Sequence, residues 1–104
     1  MPGLDFQRVR SEIPMAEVLE LLGFVATNGR GHQLYGPCPL HITTKERSRR
    51  FSVNLKTGRF CCRECRRFGN QLELWASARH LPIYEAVLDL CGRLHREPPW
   101  IHRW

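Results

Sequence analysis

Cys38-Pro39-Leu40-His41, answered further along by Cys62-Arg63-Glu64-Cys65, is the part of this chain whose reading decides its fold. A Cys-x-x-His or Cys-x-x-Cys pair is short enough for one tight turn to aim both side chains at a single ion, and a structural zinc takes four ligands in a tetrahedron. Two such turns close one site, so Cys38, His41, Cys62 and Cys65 are the expected ligands of one structural Zn2+. Four protein ligands leave no open position for water, which makes the ion a scaffold rather than a catalyst.

The remaining soft ligands read differently. The chain has five cysteines, an odd number, and its first residues show no secretory pattern, which argues against a disulfide framework and for a reducing, cytoplasmic compartment. A redox dithiol is the rival reading of the pairs. Cys61 stands at x-x-x spacing from Cys65 and is geometrically possible as a ligand, but the x-x spacing of Cys62 suits a metal knuckle better. Cys91 falls at helical spacing among Val87, Leu90 and Leu94 and reads as core. His32, His80, His95 and His102 read as surface or packing residues.

At 104 residues the chain is one domain, or one domain with a tail, and a core of that size gains much from a staple. Structural zinc contributes about 10–16 kcal/mol in small zinc peptides, comparable with the folding free energy of a whole domain. The net charge of +6 is concentrated: residues 45–67 hold Lys45, Arg47, Arg49, Arg50, Lys56, Arg59, Arg63, Arg66 and Arg67 against Glu46 and Glu64 alone. Such a segment is either the electrostatic footprint of a polyanion or a solvated basic loop, and its place over a zinc hairpin favours the first. No stretch approaches the length of a membrane-spanning helix, so no membrane partner is expected.

Asp5 is placed to cap a short amphipathic helix carrying Phe6, Val9 and Ile13. Pro14 suits the first position of a second helix, with Val18, Leu19, Leu21 and Leu22 as its apolar side and Gly23 as its left-handed stop. Asn28-Gly29-Arg30-Gly31 reads as a turn cluster before a short strand Gln33-Leu34-Tyr35. In Arg50-Phe51-Ser52-Val53-Asn54-Leu55 the apolar side chains share one face and the polar ones the other; Lys56-Thr57-Gly58 turns the chain. Arg59-Phe60-Cys61-Cys62-Arg63 then alternates so that Phe60 and Cys62 face the core, leaving an outward cationic face. Asn70 and Glu73 form a capping box for a helix with Leu72, Trp75 and Ala76 on one side. Pro82 opens the next, in which Ile83, Ala86, Val87, Leu90, Cys91 and Leu94 recur at the helical period. The expected fold class is α+β, a small antiparallel sheet flanked by N-terminal and C-terminal helices. One domain is expected over 1–96 (helices 5–22, ribbon 32–66, helices 70–94), followed by a Pro/Trp tail over 97–104 that packs its tryptophans back or offers them to a partner.

The order of these elements, with Gly36-Pro37-Cys38-Pro39-Leu40-His41, Phe51-Ser52-Val53-Asn54, Phe60-Cys61-Cys62 and Gly69-Asn70, resembles the zinc-binding (CHC-type zinc finger) domain of bacterial DnaG-type primases, from about Asp5 to Leu94. The resemblance implies a zinc-ribbon fold with Cys38, His41, Cys62 and Cys65 as ligands, contact with single-stranded template, and a place in primer synthesis during DNA replication, hence a cytoplasmic, nucleoid-associated bacterial protein. It differs from the family pattern in a longer, arginine-rich loop from His41 to Phe51, and in Arg66 and Arg67 standing where small residues, chiefly glycine, usually follow the last cysteine.

In that family a separate domain polymerises. Nucleotidyl transfer needs clustered carboxylates to hold divalent metal ions, whereas this sequence has only Asp5 and Asp89 as aspartates. The leading expectation is therefore a DNA-binding module without catalysis of its own, in which Arg50, Lys56, Arg59, Arg63, Arg66 and Arg67 meet phosphates and Phe68 or another exposed ring stacks on a base. A separate primase catalytic or helicase protein is the expected protein partner. The rivals are an adaptor of a replication or mobile-element complex, presenting the aromatic tail, and the zinc-binding subunit of a split primase.

Overall fold

The computed structural model describes residues 3–40, 51–63 and 65–101. In chain order its elements are β1 (Gly3–Leu4), α1 (Phe6–Glu12), α2 (Met15–Leu21), β2 (Asn28–Arg30), β3 (Gln33–Gly36), β4 (Phe51–Asn54), β5 (Arg59–Cys62), β6 (Arg67–Asn70), α3 (Gln71–Arg79), α4 (Ile83–Arg93) and β7 (Trp100–Ile101). The strands β2 to β6 form one antiparallel sheet in sequence order, and β1 pairs with β7 apart from it. This is the expected α+β architecture, a ribbon with helices before and after it.

Alternation in β4 and β5 sets the sheet's two faces. Phe51 and Val53 pair with Cys62 and Phe60, and all four are buried, whereas Ser52 and Asn54 pair with Cys61 and Arg59 on the other side. Directly paired residues of an antiparallel ladder share a face, so the register extends both rows across the sheet. The inner face carries Gly29, Leu34, Val53, Phe60 and Gly69 in one row and Gly36, Phe51, Cys62 and Arg67 in the next. The Phe51 ring lies 5.2 Å from that of Phe24 and 5.9 Å from that of Phe60. Burial of such side chains stabilises by about 1.5–3 kcal/mol each, and they join Val9, Ile13, Met15, Val18, Leu72, Leu74, Trp75, Val87 and Leu90 of the helices in one core.

Local signals fix the helix ends. The Asp5 carboxylate accepts from the Arg8 amide at 3.1 Å, capping α1. Asn70 Oδ1 accepts from the amides of Leu72 and Glu73, both at 2.9 Å, while Asn70 N–H donates to the Glu73 carboxylate at 3.2 Å, completing the capping box. Gly23 ends the second helical stretch with φ +71. Cys91 is buried on α4, and His32, His80 and His95 are exposed.

Several sequence expectations are corrected. Pro14 is the N-cap of α2 in extended backbone (ψ 155), not its first helical residue. Leu21 and Ile83, expected in the core, are 40% and 41% exposed. Asn28, Gly29 and Arg30, read as turn residues, form β2; only Gly31 (φ +62) and His32 make the turn, as in a type II′ hairpin. A fifth strand, β6, stands between the second knuckle and α3. The chain end needs no correction as far as Ile101, where it packs back on the body, one of the two readings given for it: Trp100 pairs with Leu4, the Asp5 amide donates to the Pro99 carbonyl at 2.9 Å, and the Trp100 ring lies 6.4 Å from that of Tyr84. Trp104 and His102 lie outside the described residues.

Candidate metal centre

The first knuckle follows β3, and the second begins inside β5, whose inward row delivers Cys62. The Sγ atoms of Cys38, Cys62 and Cys65 all lie within 4.8 Å of one another, with Cys38 Sγ 3.9 Å from Cys65 Sγ. Thiolates at about 2.3 Å from a tetrahedral zinc stand about 3.8 Å apart, so the three sulfurs fit one ion. All five cysteines are thiols rather than disulfides. Cys61, the rival of Cys62, is exposed on the opposite face of β5. His41 is bonded to Leu40, the last described residue of the first knuckle, and itself lies outside the described residues.

The backbone already faces the sulfurs as it does around a metal. Leu40 N–H donates to Cys38 Sγ at 3.4 Å, and Arg67 N–H donates to Cys65. Each is an amide two residues beyond a cysteine, and each stabilises thiolate charge. Burial works the other way: it pushes the Cys38 thiol far above its ordinary range, with neighbouring Cys62 adding to the shift, and it raises Cys65 as well. Burial therefore favours the protonated thiol at Cys38 and at Cys65. A divalent cation must displace these protons, as thiolate coordination requires.

Of the expected nucleic-acid contacts, Lys56, Arg59, Arg63 and Arg66 are all exposed. Arg50 lies outside the described residues. Arg67 does not share the outward face: it pairs with Cys62 on the inner side, and its Nη1 donates to Ser77 Oγ at 3.3 Å. The outward face has two transverse rows. Asn28, Tyr35, Ser52, Cys61 and Phe68 form one, with Phe68 73% exposed; Arg30, Gln33, Asn54, Arg59 and Asn70 form the other. Arg30 and Tyr35 were missed from the sequence. Reading Gly31-His32 as a two-residue hairpin connection would have placed both on this face.

A ribbon whose hairpins bring three thiols to one point, with helices packed on one side, defines a zinc-ribbon domain. The family model of the CHC2 zinc finger, the zinc ribbon of DnaG, matches residues 3–100. The chain belongs to that family, and its cofactor is one structural zinc. Among solved structures, the crystal structure of the Aquifex aeolicus primase, comprising zinc-binding and RNA polymerase domains, is similar with a TM-score of 0.69 and 21% identity. The match covers 91% of this chain but 22% of that one, and at this identity the likeness is one of fold. A comparison with curated proteins gave no match. No helix among the described residues is long and apolar enough to cross a membrane.

Proposed function

We propose that this domain binds single-stranded template DNA during primer synthesis, with zinc as its scaffold and the outward face of the ribbon as its reader. Cys38, Cys62 and Cys65 hold the ion together with His41. The observation that carries the reading is the pairing of Cys61 with Phe68: it sets a 73% exposed ring in the same row as Tyr35, one row from Arg59 and Arg30. An apolar ring left in water, diagonal across the β5–β6 pair from Arg59, suits a base on its face and phosphates along the cationic face. Lys56, at the tip of the β4–β5 turn, and Arg63 extend the cationic edge.

Polymerisation falls to a separate catalytic domain, the partner this module serves. The adaptor reading offered both tail tryptophans to a partner, and of these Trp100 is committed to β7 and to Tyr84. The test is an anisotropy titration of zinc-loaded protein against labelled single-stranded and duplex DNA at several salt concentrations. Neutralising about five phosphates gives a slope of log affinity on log salt near −3.5 for single strands. Arg59→Gln with Arg63→Gln flattens the slope, and Phe68→Ala loses about 1–3 kcal/mol of affinity. Affinity that ignores salt, or that favours the duplex, overturns the proposal.

A further inference from the structure

Among the described residues, three other than glycine have positive φ: Arg66 (+57), His80 (+56) and His95 (+55). The two histidines need little comment. His80 is the C-cap of α3 and His95 follows the C-cap of α4, positions where the left-handed conformation closes a helix. Arg66 ends no helix. It sits in the turn between Cys65 and β6, and it is exposed. For a side chain with a Cβ this backbone conformation is strained, and a strained residue persists where its surroundings hold it in place.

The surroundings here are the knuckle itself. The left-handed turn at Arg66 brings the next amide, that of Arg67, back to Cys65, so the same local geometry that serves the sulfur imposes the strain. Metal coordination by the thiols would supply the free energy that fixes it. An asparagine or glycine would occupy the position with less strain. An arginine there adds nothing to the core, since it is exposed and makes no ion pair among the described residues.

We propose that Arg66 is a phosphate-contacting residue whose position is bound to the metal: the zinc knuckle holds it in a left-handed backbone, so part of the zinc affinity is given up to present its guanidinium to the single strand. This rests on the single-strand-binding reading above and extends it, making the ion responsible for one defined contact as well as for the fold. By linkage, relieving the strain strengthens metal binding while removing the contact weakens DNA binding. The two changes run in opposite directions, which a purely structural or a purely electrostatic residue does not produce.

The experiment compares wild type, Arg66→Gly and Arg66→Asn, measuring zinc affinity by competition with a chromophoric chelator and single-strand affinity across salt. Arg66→Gly is expected to bind zinc about three- to tenfold more tightly. Its single-strand affinity falls about fivefold at 0.1 M salt, and the salt slope becomes shallower by about 0.7, the value of one phosphate contact. Arg66→Asn shows the same loss of DNA affinity with a smaller gain in zinc affinity. Tighter zinc binding with DNA affinity and slope unchanged overturns the phosphate contact. Zinc binding that is unchanged or weaker overturns the coupling. If wild type itself shows no salt-dependent binding of single strands, the parent reading fails, and that is seen before any variant is measured.

Discussion

The side-chain amide of Gln71 donates to the carbonyl oxygen of Ile13 at 2.9 Å, joining the first residue of α3 to the end of α1 across most of the sequence. The same nitrogen reaches the Arg10 carbonyl at 2.8 Å, and Gln71 is the one buried polar residue among those described. Its Oε1 borders Gly58, where a Cβ would come within 2.8 Å of it. One side chain thus ties the N-terminal helices, the β4–β5 turn and α3 together.

Gln71→Leu keeps the volume but leaves two carbonyls without their donor. A buried acceptor left unsatisfied costs about 1–3 kcal/mol; the Ile13 carbonyl is buried and the Arg10 carbonyl partly exposed to water, so a loss of roughly 1–4 kcal/mol is expected in urea unfolding. Gly58→Ala is destabilising as well, because Gly58 has φ +71 and its missing Cβ makes room for Gln71. Stoichiometric zinc should be retained in both folded variants, as measured by metal analysis. A Gln71→Leu midpoint equal to wild type would show that solvent reaches these carbonyls.

The doublet Cys61-Cys62 gives a sharp test of the centre. Cys62 lies in the thiol cluster and is fully buried, while Cys61 faces outward beside Phe68. Cys61→Ser should keep one zinc per chain and its cooperative unfolding. Cys62→Ser should lose tight zinc binding, and chelation of wild type should do the same, with the loss of about 10–16 kcal/mol typical of structural zinc melting the ribbon. Metal analysis with circular dichroism before and after chelation decides. Equal metal content in the two serine variants would assign the wrong cysteine.

Much of this arrangement was legible in the sequence, and for definable reasons. Phe51-Ser52-Val53 and Arg59-Phe60-Cys61-Cys62 alternate because one face is buried, and that alternation agrees with the x-x spacing by which Cys62 was told from Cys61. Asn70 and Glu73 announced α3 through a side-chain pattern that needs no tertiary context. The strand β6 was illegible because Arg67-Phe68-Gly69-Asn70 inverts the signal: its one apolar side chain points outward, and its inward position opposite Phe60 is a glycine. Gly69 has φ +151, and a Cβ there would meet the Glu73 carboxylate at 2.7–2.8 Å. Backbone pairing to β5 and room for the capping box made that strand, and neither leaves a periodicity. At β2, exposed Asn28, Gly29 and Arg30 are likewise held by pairing with β3 alone.

Cysteine chemistry should follow exposure. Cys91 is buried, and burial raises its thiol above the ordinary value of 9.0. In the folded protein it stays neutral where an unfolded thiol begins to ionise, so its contribution to stability is complete below about pH 9 and is lost as pH climbs beyond it. The expected outcome is rapid alkylation of Cys61 and protection of Cys91 at pH 8.5 until denaturant is added, read by mass mapping. Replacing Cys91 by alanine should flatten the alkaline limb of the stability profile relative to wild type.

Asp89 separates two contributions that contact geometry alone would merge. Its Oδ2 accepts from Trp75 Nε1 at 3.0 Å, and from Arg93 Nε at 3.1 Å, with Arg79 Nε at 3.6 Å. The arginine side chains are 45% and 43% exposed, so their ion pairs contribute little, about 0–1 kcal/mol each after solvent screening. Trp75 is buried between α3 and α4, and an indole N–H left there without a partner costs about 1–3 kcal/mol. Asp89→Asn keeps a carbonyl acceptor for the indole and should cost less than about 1 kcal/mol. Asp89→Ala should cost roughly 2–3 kcal/mol and shift the Trp75 fluorescence. Equal losses in the two variants, measured by urea unfolding, would mean that the charge rather than the indole hydrogen bond dominates at this position.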